Sequence, residues 1–192
     1  MKNVPIKRSY WVEPGQLLAG SFAGHPDPDE ATTRIRSFLE AGIRTFVNLM
    51  FDHETDHGGN LFVPYAPLVE READILGLDA RCHRLPIRDV SIPSLERMDE
   101  IQAIVRESLD RGAPVYVHCW GGRGRTGQVV GVHLIERGLA TTKNFVDYIA
   151  ELRAEDEGGG LSPETREQIG FVRKYVRERG LKTASRAMEE QQ

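Results

Sequence analysis

The run Pro114 to His118 (PVYVH) is followed without a spacer by Cys119-Trp120-Gly121-Gly122-Arg123-Gly124-Arg125-Thr126-Gly127. A short apolar run of this kind fits a strand buried on both faces, as in the centre of a parallel sheet. Three glycines then permit a tight curl, and a helical pattern from Arg125 to Arg137 begins directly beyond them. Strand, curled loop and helix in immediate succession direct this chain towards an α/β arrangement.

The rest of the chain agrees with that direction. Strands are predicted over Gln16 to Phe22, Ile43 to Met50 and Ala80 to Leu85. Helices are predicted from Pro28 and Asp29 to Gly42, over Pro67 to Leu76, Ser94 to Leu109, Lys143 to Ala154, and Pro163 to Arg179. Ser94 is the expected N-cap of its helix, without a full capping box because Arg97 stands three places on. Phe51 to Asn60 reads as a polar loop, Glu155 to Gly160 (EDEGGG) as a mobile acidic one, and the end after Gly180 as a tail prone to fraying. The expectation is one α/β domain over residues 1–192, with a mostly parallel sheet of four or five strands flanked by helices.

Composition narrows the functional classes. The 192 residues carry a formal net charge of −4, a poor balance for a non-specific nucleic-acid binder. Cys82 and Cys119 can form at most one bridge, so a disulfide scaffold is excluded. No apolar run approaches the roughly 20 residues that span a bilayer, and no secretion signal is recognisable in MKNVPIKRSYWVEPG. A cytoplasmic protein, with neither membrane nor nucleic acid as partner, is expected.

Three patterns compete for the chemistry. His53-Glu54-Thr55-Asp56-His57 satisfies H-E-x-x-H, which binds zinc when both histidines share one helical face. Gly58-Gly59 follows at once and a predicted strand precedes, leaving room for barely one helical turn. A solvated loop is the preferred reading, and a zinc hydrolase stays as the alternative from another class. Gly122 to Gly127 satisfies G-x-G-x-x-G, with Asp147 twenty residues on. That aspartate lies in a helical pattern, not at a strand end, and two arginines would crowd a pyrophosphate.

The third pattern, H-C-x5-R-T-G from His118 to Gly127, accounts for the same glycines better. Residues Trp120 to Gly124 can curl so that successive amide N–H groups converge on one tetrahedral anion, and the helix N-terminus adds its positive end. Arg125 can close the ring with a bidentate guanidinium, while Cys119 sits at the base where an anion site favours a thiolate nucleophile. Thr126 can hydrogen-bond the sulfur and ease its departure. His118 is expected to order the loop from beneath. Phosphate, sulfate or vanadate should therefore bind this loop. Thiolate attack on a phosphate ester also needs a proton for the leaving oxygen. Asp89, in LPIRDVSIPS 30 residues before the cysteine, is the expected donor on a second loop. Asp99 and Asp110 are worse placed, and Asp52 and Asp56 are possible substitutes.

These residues resemble the cysteine-dependent protein phosphatase superfamily. The resemblance is to the dual-specificity branch in particular, and to the cyclin-dependent kinase-associated phosphatase group and similar small bacterial phosphatases. The resemblance rests on PVYVHCWGGRGRTG (114–127), LPIRDVSIPS (85–94), SPETREQIGFV (162–172) and YWVEPGQLLAGS (10–21). It implies a cysteinyl-phosphate intermediate on Cys119, Arg125 as phosphate clamp, Asp89 as general acid and then base, and no metal or cofactor. It also implies a pair of water-positioning glutamines, of which Gln168 matches the second while Glu164 stands at the first. Expected substrates are phosphotyrosyl or phosphothreonyl proteins, with inositol phosphates or phosphoinositides as the alternative because Arg123 adds a cation to the loop. A non-catalytic phosphate-binding module is a weaker reading. For Cys82, a plain strand cysteine is favoured over a partner in a reversible disulfide with Cys119.

Overall fold

A computed structural model of the protein describes residues 4–181. In chain order the elements are β1 (Ser9–Glu13), β2 (Leu17–Gly20), α1 (Pro28–Glu40), β3 (Thr45–Asn48), α2 (Ala66–Leu76), β4 (Arg81–Arg84), α3 (Leu95–Asp110), β5 (Val115–His118), α4 (Gly124–Glu136), α5 (Phe145–Leu152) and α6 (Arg166–Glu178). The strands form one five-stranded sheet in the order β1-β2-β5-β3-β4. All neighbours are parallel except β1, which runs antiparallel to β2. β1 lies outside every predicted strand, and the observed elements are generally shorter at their ends than the patterns suggest. The preceding Lys7 and Arg8 and the short alternation of SYWVE mark an edge strand, whose sequence signal is weak.

Side-chain alternation in the strands sorts the core into two layers. Leu18, Phe46 and Tyr116 point to one face and pack with Ile35, Phe38 and Leu39 of α1 and with Val69 and Ala73 of α2. Leu17, Val47, Val115 and Val117 point to the other and pack with α3 to α6 through residues such as Ile101, Val130, Phe145 and Val172. α4 is buried along almost its whole length because it lies between the sheet and the other helices. Burial on both faces is why the central strands read as continuous apolar runs.

Local chemistry sets the helix ends. Asp27 accepts from the N–H groups of Asp29 and Glu30, and Ser94 accepts from that of Arg97, as its predicted cap role requires. α6 opens on a complete capping box between Thr165 and Gln168. The acidic stretch 155–160 differs from the expected mobile loop. Arg153 grips Asp156 at 2.7 Å and 3.0 Å and donates to the carbonyls of Gly159 and Gly160. Both side chains of that ion pair are only 4% exposed, so the pair anchors the loop. The expected polar tail lies outside the described residues, apart from Leu181.

Candidate active site

β5 delivers Cys119 to the carboxyl end of the sheet, and α4 begins five residues later at Gly124. Between them the carbonyls turn outward. Trp120 O accepts from Phe22 N–H at 3.0 Å, Gly121 O from Arg8 Nη2 at 3.3 Å, and Arg123 O from Ser162 Oγ at 2.9 Å. The amide N–H groups of Trp120, Gly121, Gly122 and Arg123 donate to no acceptor among the described residues. Gly122 cannot be replaced without moving the chain. Its φ is +73°, and a Cβ there would stand 2.5 Å from the carbonyl carbon of Gly20.

The Cys119 sulfur, in a residue 3% exposed, accepts a hydrogen bond from Thr126 Oγ1 at 3.1 Å. Arg125 runs beneath the loop, its side chain 1% exposed. Its Nη1 and Nη2 donate to the two carboxylate oxygens of Glu54 at 2.6 Å and 3.0 Å, and Nη2 lies 2.9 Å from Asp89 Oδ1. Nη1 also reaches the carbonyl of Ile87 at 3.2 Å. Burial works against the charged guanidinium, but the Glu54 hydrogen bonds and the neighbouring Cys119 and Asp89 outweigh it and raise Arg125 above its usual range. Its Nε is buried without a protein partner among the described residues.

His118 is fully buried directly under this loop. Its Nδ1 stands 3.1 Å from the carbonyl of Cys119 and its Nε2 2.7 Å from the hydroxyl of Tyr65. A carbonyl only accepts, so Nδ1 carries the proton and Nε2 accepts from Tyr65 O–H. Burial pushes the imidazole down to about 4, and the Tyr65 hydroxyl well above its ordinary range. Both groups are therefore neutral and act as fixed hydrogen-bonding supports, the ordering role expected of His118.

The structure gathers Cys119, Arg125, Thr126 and Asp89 together with Trp120 to Gly124. A cleft of about 490 Å³ opens over them, with His57, Trp120, Arg8, Arg123, Asp89 and Glu164 among its walls. Arg123 is ion-paired with Glu164, so the carboxylate standing where a glutamine was expected is charge-compensated. Gln168 Oε1 accepts from the N–H groups of Glu164 and Thr165, and its Nε2 donates one of its two N–H groups to Ser91 O at 3.2 Å while lying beside Gly124 of the loop.

Other candidates are dispersed. Asp56 caps the turn at Gly58 and Asn60, and Asp99 is held by Tyr175 and Arg179. Asp147 lies within α5, away from any strand end. The H-E-x-x-H segment is not helical, so His53 and His57 are not paired on a helix face. Its residues serve this site instead: Glu54 binds Arg125, and the His57 ring lies 4.5 Å from that of Trp120. Phe51 N–H, bonded to Glu54 Oε1 at 2.8 Å, sets the carboxylate in place. Sequence reasoning missed Glu54 as the arginine's partner because its pattern pointed to another chemistry. Cys82 faces Phe46 across the β3–β4 ladder, and Phe46 faces Tyr116, three residues short of Cys119. Strand spacings put the two cysteines roughly 14 Å apart, beyond the reach of a disulfide. Burial further pushes the Cys82 thiol up to about 12.

A buried thiol beneath an amide cradle, with a guanidinium and a facing carboxylate at the end of a parallel sheet, defines the cysteine-based phosphatase class. Residues 6–174 match the family described as "PTP-SAK: Swiss Army Knife protein, DSP-PTPase phosphatase domain". The chain belongs to that family. Two uncharacterized proteins of Methanocaldococcus jannaschii are similar to it. MJECL20 is 36% identical over 50% of this chain and 59% of its own length. MJ0215 is 33% identical over 71% of this chain and 82% of its own. Similar solved folds include PTPMT1 in complex with PI(5)P, with a TM-score of 0.64 and 19% identity over 89% of this chain and 96% of that one. The kinase associated phosphatase has the same TM-score at 16% identity, over 89% and 93%. TpbA of P. aeruginosa in complex with pTyr has 0.54 at 18% identity, over 90% and 87%. Among the described residues no helix is long and apolar enough to cross a membrane.

Proposed function

We propose that the protein hydrolyses phosphomonoesters through a cysteinyl-phosphate intermediate, with phosphotyrosyl or dual-specificity protein substrates. The carrying observation is the convergence on one cleft of the Cys119 sulfur, bonded to Thr126, and the Asp89 carboxylate, 2.9 Å from Arg125. In the first step the thiolate forms an S–P bond as the P–O ester bond breaks, and protonated Asp89 gives its proton to the departing oxygen. The loop amides and Arg125 hold the phosphoryl oxygens as charge develops on them. In the second step water forms a new P–O bond, Asp89 takes its proton, and the S–P bond breaks with Thr126 stabilising the released thiolate. Glu164, at the mouth of the loop and ion-paired with Arg123, orients that water together with Gln168, whose Nε2 lies beside Gly124 and keeps one N–H beyond the one given to Ser91 O.

The aromatic rings of Trp120 and His57 at the cleft wall favour a phosphorylated ring. Arg8 and Arg123 on the same cleft favour a second reading, a polyanionic small phosphate ester, and neighbours bind both PI(5)P and pTyr. Phosphotyrosyl peptides, phosphothreonyl peptides and inositol phosphates assayed in parallel distinguish these. Cys119→Ser should remove turnover of all of them and leave the fold intact. Undiminished turnover would refute the cysteinyl-phosphate route, and chelator-sensitive activity in that variant would point to zinc.

A further inference from the structure

Asp89 occupies the second position of a tight turn, Arg88 to Ser91, closed by a hydrogen bond from Ser91 N–H to Arg88 O at 3.2 Å. The third position, Val90, has φ +55°. That position of such a turn suits glycine or asparagine, and a β-branched residue there is held only by its surroundings. The surroundings are specific. Gln128 of α4 and Gln168 of α6, both fully buried, donate their Nε2 groups to the same acceptor, Ser91 O, at 3.1 Å and 3.2 Å. One carbonyl has two lone pairs and can receive both.

The Gln128 amide has a defined orientation because its Nε2 also faces Gly124 O at 3.5 Å, and two carbonyls require the NH2 end. Its Oε1 is consequently buried with no partner among the described residues. An apolar side chain of that length would leave no such orphan, so what the amide supplies is the grip on Ser91. Arg125 and Gln128 also share one turn of α4. The helix that carries the phosphate clamp therefore carries a tether for the acid loop.

We infer that Gln128 and Gln168 are positioning residues for Asp89, clamping the Ser91 carbonyl so that the strained turn keeps the carboxyl over the phosphate cradle. The inference rests on Asp89 being the proton donor. A clamp of this kind matters most where the leaving group needs a proton, which a merely structural role does not predict. The test is kcat/KM, which reports phosphoenzyme formation, for aryl phosphates ranging from good to poor leaving groups. Gln128→Met should lose about tenfold or more on phenyl phosphate and less than about twofold on dinitrophenyl phosphate. In an Asp89→Asn background it should cost nothing further. Adding Val90→Gly to Gln128→Met should recover part of the loss, since glycine holds the turn without the clamp. Equal losses on all substrates, no loss, or a deeper defect with Val90→Gly would each overturn the clamp. A flat response of Asp89→Asn itself would instead remove Asp89 as donor, and this inference with it. If Gln128→Met fails to fold, Gln128→Leu gives the same comparison.

Discussion

Glu54→Gln tests the electrostatic centre of the site. The native carboxylate receives two hydrogen bonds from Arg125, at 2.6 Å and 3.0 Å. Glutamine keeps one acceptor and turns an NH2 group toward a guanidinium that is 1% exposed. A hydrogen bond to a charged group contributes about 1.5–3 kcal/mol, and breaking a buried ion pair costs about 3–5 kcal/mol. Glu54 is 15% exposed and Asp89 can engage Nη2, so the lower end applies. The expected loss is about 3 kcal/mol, which for a domain of this size lowers Tm by about 6–12 °C. The released guanidinium also loses its aim, and kcat/KM for an aryl phosphate should fall by about a hundredfold. Calorimetry and a spectrophotometric phosphatase assay on the same preparation read both effects. A Tm change under about 2 °C together with kcat/KM within about twofold would show that Glu54 does not hold Arg125.

Two further outcomes follow from the same geometry. His118 is held neutral with its protonation lowered to about 4, whereas unfolded it titrates near its ordinary value. The unfolded chain therefore binds more protons in that window, so stability is full above about pH 6.5 and declines on acidification, by on the order of 2 kcal/mol at about pH 5. His133, lowered by burial, adds to the same trend. Urea unfolding at the two pH values measures it, and equal stability would contradict a buried neutral His118. Gly122→Ala should cut activity by at least about a hundredfold, because a Cβ cannot occupy the space beside Gly20 while the loop keeps its curl. Wild-type turnover with the loop unchanged in a crystal structure would refute this.

How legible each feature was depended on the distance along the chain over which it is built. The strand, curl and helix from Pro114 to Arg137 were readable because contiguous residues carry the whole device. Thr126 meets Cys119 across a single loop. Asp89 was found as an acid in a Pro-flanked loop between a predicted strand and helix. Its 2.9 Å approach to Arg125 could not be found that way, since it depends on how β4 and β5 are carried by β3. The T-x-x-Q signature at Thr165 and Gln168 was legible in principle as a capping box, and its presence explains why Gln168 serves a helix end and a loop carbonyl.

The amino-acid order alone determined the α/β class and the placing of Cys119 and Arg125 at the two ends of one curled loop, because covalent spacing keeps those groups close. The pairing of Glu54 with Arg125, the joint hold of Gln128 and Gln168 on Ser91, the support of His118 by Tyr65, and the separation of Cys82 from Cys119 were decided by the tertiary structure. Each links segments far apart in the chain, and their meeting or separation follows from strand order, register and helix packing. No local pattern encodes those relations.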